Sequence, residues 1–216
     1  MKKIILTAVV AFLVGFAAQA QRVFMTGDSH VNSKIYPNTV EQILREEMPD
    51  LEFAYNCKVG AGVYTFNTSE ELMKPIMDFA PEVLVVHLGT NDSYMKNFDP
   101  QRFLRTVTTF YDNIKAAFPE CRLVFVSPFY NKLKDKTLNE STRACADAYV
   151  EFCNTHPDAY LIDNNAEHGM DFIDGGLIRK DFVHLTANGY KTLGEQVGNG
   201  LLQLDIFGSG PAPLNP

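Results

Sequence analysis

The stretch that decides the fold is RVFMTGDSH at residues 22–30. Residues 23–26 are apolar, β-branched or aromatic, a composition typical of a buried strand. Gly27 ends this run, and Asp28 and Ser29 follow at once. A serine at the end of a buried strand is held by rigid backbone, which is where a nucleophile would be useful. Taken alone, Ser29 equally fits an ordinary turn or a helix N-cap.

The two ends of the chain differ in composition from the rest. A basic start, an apolar run at 4–18 and a small-x-small site at 18–20 predict a secretory signal peptide over residues 1–20. The run is short for a membrane span and contains a glycine. Residues 208–216, GSGPAPLNP, predict a flexible C-terminal tail. Residues 21–207 remain as one exported domain, periplasmic or extracellular.

The charge of the chain argues against two classes of partner. Of the 19 Lys and Arg residues, Lys2 and Lys3 lie in the predicted signal peptide, and the other 17 against 26 Asp and Glu give a formal charge of −9. No basic block stands out. Nucleic acid and anionic membrane are therefore poor partners, and no stable membrane anchor is expected. The sequence leaves the oligomeric state open.

The cysteines, Cys57, Cys121, Cys145 and Cys153, form no CxxC zinc pattern. Export permits disulfides, but Cys145 and Cys153 are eight positions apart on one predicted helix and too distant to bond each other. Two alternatives remain. Either all four are free thiols, or one bridge joins Cys121 to Cys153, which should both lie at the edge where the strands begin.

Apolar runs alternate with amphipathic segments along the domain. Strands are predicted at residues 23–26, 51–57, 83–88, 123–126 and 159–162, and helices at residues 37–48, 68–79, 99–117, 138–154 and 186–204. Thr68 with Glu71, Asp99 with Pro100, and Thr186 supply the helix-start signals. The glycine-containing segments 58–67 and 164–180 are predicted loops. This alternation predicts an α/β fold with a parallel sheet and right-handed crossovers.

In such a sheet every strand-to-helix loop leaves at the same edge, where ligands bind. That edge receives residues whose positions differ by more than 150: Ser29 after the first strand, Gly60 and Gly62 after the second, Asn91 after the third, and Asp181 and His184 after the fifth. The topology therefore predicts that distant segments deliver these side chains to one rim.

The residue types at this rim suit ester hydrolysis. A serine hydroxyl is a poor nucleophile until a base takes its proton, and His184 is the candidate base. Asp181, three positions earlier, is placed to orient the imidazole. Asp-x-x-His also fits a solvated pair at a helix start, or two metal ligands, although no third ligand has convincing spacing.

Attack on an ester builds negative charge on the carbonyl oxygen, which needs hydrogen-bond donors already in place. Three donors are available: the backbone N–H of Ser29, a backbone N–H in the turn at residues 60–62, and the side-chain amide of Asn91. Taken singly, the glycines also fit a tight turn, and Asn91 fits a helix cap.

Together these segments resemble the SGNH hydrolases, the GDSL-type esterases and lipases. The resemblance rests on GDS at residues 27–29, the glycine after the second strand, GTND at 89–92 and DFVH at 181–184, which span nearly all of the mature chain in the right order. The glycine block departs from the common Asn-x-Gly-x-x-Gly pattern, because Asn56 is followed by Cys57, Lys58, Val59 and Gly60.

The resemblance implies a flavodoxin-like, three-layer α/β/α fold with a five-stranded parallel sheet. It implies Ser29 as nucleophile, His184 as base and then acid, and Asp181 as the orienting carboxylate. Ser29, Gly60 and Asn91 would form the oxyanion hole, with Gly62 as the alternative to Gly60. No metal and no organic cofactor are expected. Bonds from Asp28 and Asp92 to backbone are expected to hold their loops.

The resulting hypothesis is a secreted serine esterase that hydrolyses small acyl esters through an acyl-enzyme. Acetyl groups on carbohydrate are the first candidate substrate, by analogy with exported members of the family. Alternatives are a lysophospholipase or thioesterase of the same fold, a non-catalytic glycan-binding module, and a metal-dependent hydrolase that uses His184, Asp181 and His30. Transfer of the acyl group to another hydroxyl is also left open.

Aromatic residues follow several predicted strands, and some are expected to line an acyl or sugar pocket: Tyr64, Phe66, Tyr94, Phe98, Phe129 and Tyr130. His87, inside the third predicted strand, is expected to be a core or sheet-edge histidine.

Overall fold

The computed structural model describes residues 21–129, 136–165 and 175–207. The predicted signal peptide, the predicted tail and Tyr130 lie outside the described residues, so those assignments stay predictions. Among the described residues, no helix combines the length and the apolar character needed to cross a bilayer.

The centre of the molecule is a five-stranded parallel sheet, which confirms the predicted fold class. The strands are β1 (Arg22–Gly27), β2 (Glu52–Cys57), β3 (Val83–His87), β4 (Arg122–Val126) and β5 (Ala159–Ile162). Their order is β2-β1-β3-β4-β5, and Phe24 of β1 pairs with Ala54 on one side and Leu84 on the other. The chain therefore reverses its direction of travel across the sheet between β1 and β3, the position at which such sheets bind ligands.

Helices cover both faces of the sheet. They are α1 (Ile35–Glu47), α2 (Val63–Asn67), α3 (Glu70–Phe79), α4 (Thr90–Ser93), α5 (Pro100–Ala117), α6 (Lys136–Thr155) and α7 (Ala187–Gln203), with a 3₁₀ turn at Val31–Ser33. The buried side chains of α1 and α7 share one core cluster, and those of α2, α3, α5 and α6 share the other. The result is the predicted three-layer α/β/α architecture.

Alternation along the strands explains why two cores form. In β1, Val23 and Met25 point into the core beneath α1 and α7, whereas Phe24 points into the opposite core. β3 divides in the same way, with Val85 on the first side and Leu84 on the second. Strands buried on both faces must be apolar at every position, which is why their sequences read as continuous apolar runs.

The helix starts at Asp99 and Thr186 agree with the sequence prediction, and other helix starts differ from it. The Asp99 carboxylate accepts the N–H of Gln101 and Arg102, and the Thr186 hydroxyl accepts the N–H of Gly189, as capping residues do. The cap of α3 is Ser69 rather than Thr68, because the Ser69 hydroxyl accepts the N–H of Leu72. The loop predicted over 58–67 is also wrong in part, since α2 occupies its second half.

All four cysteines are free thiols in the structure, which is the first of the two alternatives. Cys121 is buried, and Cys153 is partly buried against the same core cluster. Burial raises the pKa of both thiols to about 12, so they remain protonated and unreactive at neutral pH.

Helices α1 and α7 approach closely because glycines on α7 leave room for α1. A Cβ atom built on Gly194 would lie 2.5 Å from the Cβ of Thr39, and one built on Gly198 would lie 3.0 Å from Ile43. The backbone of α7 therefore packs directly against side chains of α1. This contact fixes the helix that follows the His184 segment against the helix that follows Ser29.

We expect Gly194→Ala to lower the free energy of unfolding by about 1–3 kcal/mol through overpacking, despite the better helix propensity of alanine. Asn199→Ala, at an exposed position of the same helix, is the matched control and should leave stability unchanged or slightly higher. Urea denaturation of both variants measures this. Equal stability of the Gly194→Ala variant and the wild type would show that the two helices can move apart.

Candidate active site

Ser29 lies at the carboxyl end of β1, where the chain turns sharply into the 3₁₀ segment. Gly27 makes the turn possible, because a Cβ there would meet Val31 at 2.5 Å and the carbonyl oxygen of His87 at 2.7 Å. The buried Asp28 organises the turn, since its Oδ1 accepts the His30 N–H at 2.9 Å. Ser29 itself is partly exposed. The predicted loop-holding bond of Asp28 is confirmed.

His184 reaches this turn from the segment that precedes α7. The Asp181 Oδ1 atom accepts the backbone N–H groups of Val183 and His184, at 3.0 and 2.9 Å, and so closes a tight turn. A bridge between Ile178 and Leu185 joins the two sides of the segment. The orientation of the His184 imidazole is therefore set mainly by bonds within this segment.

The structure brings the three predicted triad residues into one hydrogen-bonded chain. The Nε2 atom of His184 lies 3.0 Å from the Oγ of Ser29, and its Nδ1 lies 3.0 Å from the Oδ2 of Asp181. Burial raises the pKa of Asp181, but the N–H groups of His184 and Val183 and the imidazole outweigh it and lower the value to about 2. An ionised Asp181 favours the tautomer of a neutral His184 imidazole that carries its proton on Nδ1. In this tautomer Nε2 is free to accept the serine proton.

Asn91, at the end of β3, is tied to the serine turn. Its Nδ2 atom donates to Oδ2 of Asp28 and to the carbonyl oxygen of Ala61, both at 3.0 Å. Both hydrogens of this amide are therefore occupied within the protein. Burial raises the pKa of Asp28 to about 7, against the opposing effect of its hydrogen bonds with the His30 N–H and Asn91.

The two candidate glycines have different roles. The N–H of Gly62 faces the Thr65 hydroxyl at 3.3 Å, and a Cβ at this position would lie 2.5 Å from the Asp92 carboxylate. The N–H of Gly60 has no acceptor among the described residues. Gly60 is exposed and has φ of 77°, a left-handed conformation that favours glycine. A free N–H is a requirement for an oxyanion donor, and Gly60 meets it.

Asp92 holds the glycine segment to the loop after β3. Both of its carboxylate oxygens lie 3.1 Å from the backbone N of Val63, the first residue of α2. Burial raises the pKa of Asp92 to about 6, and the N–H of Val63 acts against this rise. This is the second predicted loop-holding bond, and it explains why no side chain fits at Gly62.

Two fully buried histidines stand behind the triad. The His30 and His87 rings stack with centroids 5.4 Å apart, and His30 also lies 5.8 Å from the His184 ring. His87 Nδ1 bonds the Tyr36 hydroxyl at 2.9 Å, whereas His87 Nε2 and both His30 nitrogens have no partner among the described residues. Burial, helped by His87 and His184, lowers the pKa of His30 well below its usual value, and burial lowers that of His87 to about 3.

Two hollows open at this edge of the sheet. The first, about 370 Å³, contains Ser29 and His184 and is bordered by Val59, Arg179 and Tyr190. The second, about 480 Å³, contains Gly60 and Asn91. Val59 and Gly60 are adjacent in sequence, so the segment after β2 borders both hollows. Of the predicted pocket aromatics, Tyr64 and Phe98 line the second hollow, whereas Phe66 and Phe129 are buried.

The metal-dependent alternative gains no support from the donor geometry. Within residues 21–129, 136–165 and 175–207, no three His, Cys, Asp or Glu side chains are grouped to hold a metal ion. Both ring nitrogens of His184 already have partners in Ser29 and Asp181.

A comparison with family sequence models decides the family. Residues 25–192 match the GDSL-like lipase/acylhydrolase family. The chain belongs to this family. As a GDSL-like acylhydrolase it is a hydrolase of carboxylic esters, which excludes the non-catalytic glycan-binding alternative. A sequence comparison with curated proteins gives no match.

Solved structures share the fold of this GDSL-like acylhydrolase at low sequence identity. A peptidoglycan O-acetylesterase is 11% identical with a TM-score of 0.70, over 87% of this chain and 92% of that one. A carbohydrate esterase family 3 protein from Talaromyces cellulolyticus is 17% identical with a TM-score of 0.65, over 85% and 97%. An acetylxylan esterase catalytic mutant from Geobacillus stearothermophilus is 13% identical with a TM-score of 0.68, over 88% and 95%.

We expect His30→Leu to change how stability depends on pH. In the unfolded chain His30 gains a proton near its ordinary pKa, whereas the buried ring stays neutral, so acid favours unfolding of the wild type. Leucine removes this pH-dependent contribution to stability, together with the two ring nitrogens that have no partner among the described residues. Below about pH 6 the wild type should therefore lose about 1.4 kcal/mol per pH unit relative to the variant. Urea denaturation of both proteins at several pH values measures the difference, and parallel curves would contradict neutral burial of His30.

Proposed function

We propose that this protein is a serine esterase in which Ser29, His184 and Asp181 act as a catalytic triad to remove acetyl groups from carbohydrate. The observation that carries the proposal is the continuous chain of two 3.0 Å contacts from Ser29 Oγ through the His184 imidazole to the Asp181 carboxylate. Such a chain supplies the three requirements of nucleophilic acyl transfer: a nucleophile, its base and a group that orients the base.

In the first half of the reaction, Ser29 Oγ attacks the ester carbonyl carbon while its proton passes to Nε2 of His184. The ionised Asp181 stabilises the resulting imidazolium through Nδ1. The tetrahedral intermediate then collapses, and His184 returns the proton to the leaving alcohol oxygen. The acyl group remains on Ser29, and the alcohol departs.

In the second half, water takes the place of the alcohol. Nε2 of His184 accepts a proton from the water as its oxygen attacks the acyl carbon, and the same proton returns to Ser29 Oγ when the carboxylic acid leaves. If a sugar hydroxyl attacks instead of water, the product is a transferred ester. The same residues serve both outcomes, so the choice depends on which acceptor binds.

We assign the stabilisation of the developing oxyanion to the backbone N–H groups of Ser29 and Gly60. Neither N–H has an acceptor among the described residues. Asn91 is the third donor, but it bonds Asp28 and Ala61 in the resting geometry. It can serve the oxyanion only when one of these bonds lengthens. Until then it acts by holding the Ser29 turn and the Gly60 segment together.

The lining of the Ser29 hollow favours a short acyl group. The hollow measures about 370 Å³. Asn32, Ser33 and Arg179 contribute polar or charged side chains to it, and Ile35, Val59 and Tyr190 contribute apolar surface. A long acyl chain would need an extended apolar groove, and the described residues around Ser29 do not form one. This supports a small-acyl esterase over the lysophospholipase or thioesterase alternative.

The proposal has two further parts. The alcohol portion of the substrate is a carbohydrate, and the enzyme is exported. Three solved structures of similar fold are named as esterases of peptidoglycan, carbohydrate or acetylxylan. The signal-peptide pattern over residues 1–20 would bring the enzyme to the periplasm or outside, where glycans are met.

Ser29→Ala should lower kcat/KM for p-nitrophenyl acetate on the order of 10⁴-fold or more while leaving thermal unfolding nearly unchanged, because only the nucleophile is lost. A fluorophosphonate probe should label the wild type at Ser29 and leave the variant unlabelled, as peptide mass spectrometry can establish. A panel of esters from acetyl to long-chain acyl, with acetylated sugars included, should show the fastest turnover for acetyl. Unchanged turnover in the variant would reject the triad.

Asn91→Ala should lower kcat by roughly 10²-fold and change KM much less, because the lost bond forms fully only in the transition state. Thermal unfolding of the same variant reports the loss of its bonds to Asp28 and Ala61. Asn38→Ala, at an exposed position of α1, is the control. A raised KM with unchanged kcat would restrict Asn91 to substrate binding.

A further inference from the structure

The 480 Å³ hollow beside the catalytic serine is large compared with an acetyl group. Gly60 and Asn91 form the end that faces the Ser29 turn, and Asn91 touches Asp28 directly. The rest of the lining comes from α2, the α4–α5 connection and the first turns of α5. An ester bound at Ser29 would therefore extend its alcohol portion into this second hollow.

Part of the hollow is lined by apolar side chains that remain exposed in the folded protein. Tyr64 is 63% exposed and Met95 is 61% exposed, and both line the hollow together with Phe98. Exposed aromatic surface at a concave site is a feature of ligand pockets. The flat ring of Tyr64 and the thioether of Met95 both suit packing against the C–H face of a sugar ring.

The polar end of the same hollow carries two cations without partners. Neither the Lys96 ammonium nor the Arg102 guanidinium has an ion-pair or hydrogen-bond partner among the described residues, although both line the hollow. The two carboxylates nearby are occupied by backbone, because Asp92 accepts the N–H of Val63 and Asp99 accepts the N–H of Arg102. The cationic groups are therefore free to meet a ligand.

Several cations elsewhere bond carboxylates: Arg22 with Glu52, Arg45 with Glu41, Lys74 with Asp78, Lys115 with Asp158 and Lys191 with Glu195. Lys34 and Lys58, which follow β1 and β2 at the active-site edge, have no carboxylate partner in the described part of the chain. Lys34, Lys58, Lys96 and Arg102 thus bring positive charge to this edge of a domain whose formal charge is −9, and cations attract anionic ligands.

We propose that the alcohol portion of the substrate is an acidic sugar whose carboxylate binds Arg102 and Lys96 while its ring packs against Tyr64 and Met95. Lys96 and Arg102 share this hollow with the carboxylates of Asp92 and Asp99, but both carboxylates already accept backbone N–H groups, so the two cations are the charged groups left to bind an anion. The planar guanidinium of Arg102 suits bidentate binding of a carboxylate. This inference rests on the proposed function, since it specifies the substrate class of that site.

The test uses a pair of esters that differ only in the charged group: mono-O-acetylated methyl glucuronoside and the equally acetylated methyl glucoside. The wild type should have a kcat/KM at least roughly tenfold higher for the glucuronoside, the effect expected of one hydrogen bond between charged groups. About 0.5 M NaCl should reduce this preference, because salt screens exposed charges. Acetate release measures both rates.

Arg102→Gln combined with Lys96→Gln should bring the ratio of the two rates close to one. Arg105→Gln is the matched control, because Arg105 is exposed one turn further along the same helix and does not line the hollow. It should leave the ratio as in the wild type. Equal rates for the two esters in the wild type, or a preference that survives the double substitution, would overturn the inference and leave the proposed function standing.

Binding to the Ser29→Ala variant separates substrate recognition from catalysis. Isothermal titration with the two esters should show tighter binding of the glucuronoside, and the preference should be lost when Arg102→Gln and Lys96→Gln are added. If the wild type hydrolyses neither ester, the proposed function fails, and these titrations still decide the inference. Equal affinity of the Ser29→Ala variant for the two esters would overturn it.

Discussion

The buried carboxylate of Asp28 is the contact on which the rest of the site depends. It joins the turn that carries Ser29 to the loop after β3, because one oxygen accepts the His30 N–H and the other accepts from Asn91. A buried carboxylate is costly unless its oxygens are hydrogen-bonded, and both of these are. Asn91 continues the connection to Ala61, and Asp92 holds the N–H of Val63. Three loops are thus locked together at one edge of the sheet.

The two halves of the candidate triad are supported in different ways. Ser29 follows β1, which lies between β2 and β3 in the sheet, and Gly27 packs against Val31 and His87. His184 and Asp181 lie on a partly exposed segment whose geometry comes mainly from its own backbone bonds. The close packing of α7 on α1 brings these two halves into register. Ser29 and His184 therefore meet because two helices fit together.

Fold and specificity reside in separate parts of the molecule. The sheet and its covering helices position the candidate triad, and the family assignment gives ester hydrolysis as the reaction class. The hollow beside them is built from α2, α4 and the start of α5, which contribute little to the strand register. Such short elements can change without disturbing the sheet, which is how one fold serves many substrates. Lys96 and Arg102, which have no ion-pair partner in the described part of the chain, lie on or between these elements.

Local features were readable from the sequence because they depend on neighbours along the chain. The five strands, the caps at Asp99 and Thr186 and the order of the four motif blocks needed only apolar runs and helix-start residues. The sequence pattern places the cap of α3 at Thr68 instead of Ser69 and predicts a loop where α2 lies. Helix ends are uncertain by one or two residues when judged from local sequence, because tertiary contacts choose between adjacent capping residues. The hydrogen bonds of the Asn91 amide depend on atoms that are distant in sequence. So does the absence of partners for the His30 ring nitrogens among the described residues.

By itself, then, the sequence determined the parallel α/β fold and the residues that are delivered to its carboxyl edge, since strand periodicity and crossover handedness leave few alternatives. Only the tertiary structure decided that Asn91 is bonded to Asp28. It also decided that, among the described residues, the N–H of Gly60 but not that of Gly62 lacks an acceptor, and that Arg102 and Lys96 line a hollow without partners. These are questions of distance and desolvation between segments, and a linear pattern carries no information about them until the chain is folded.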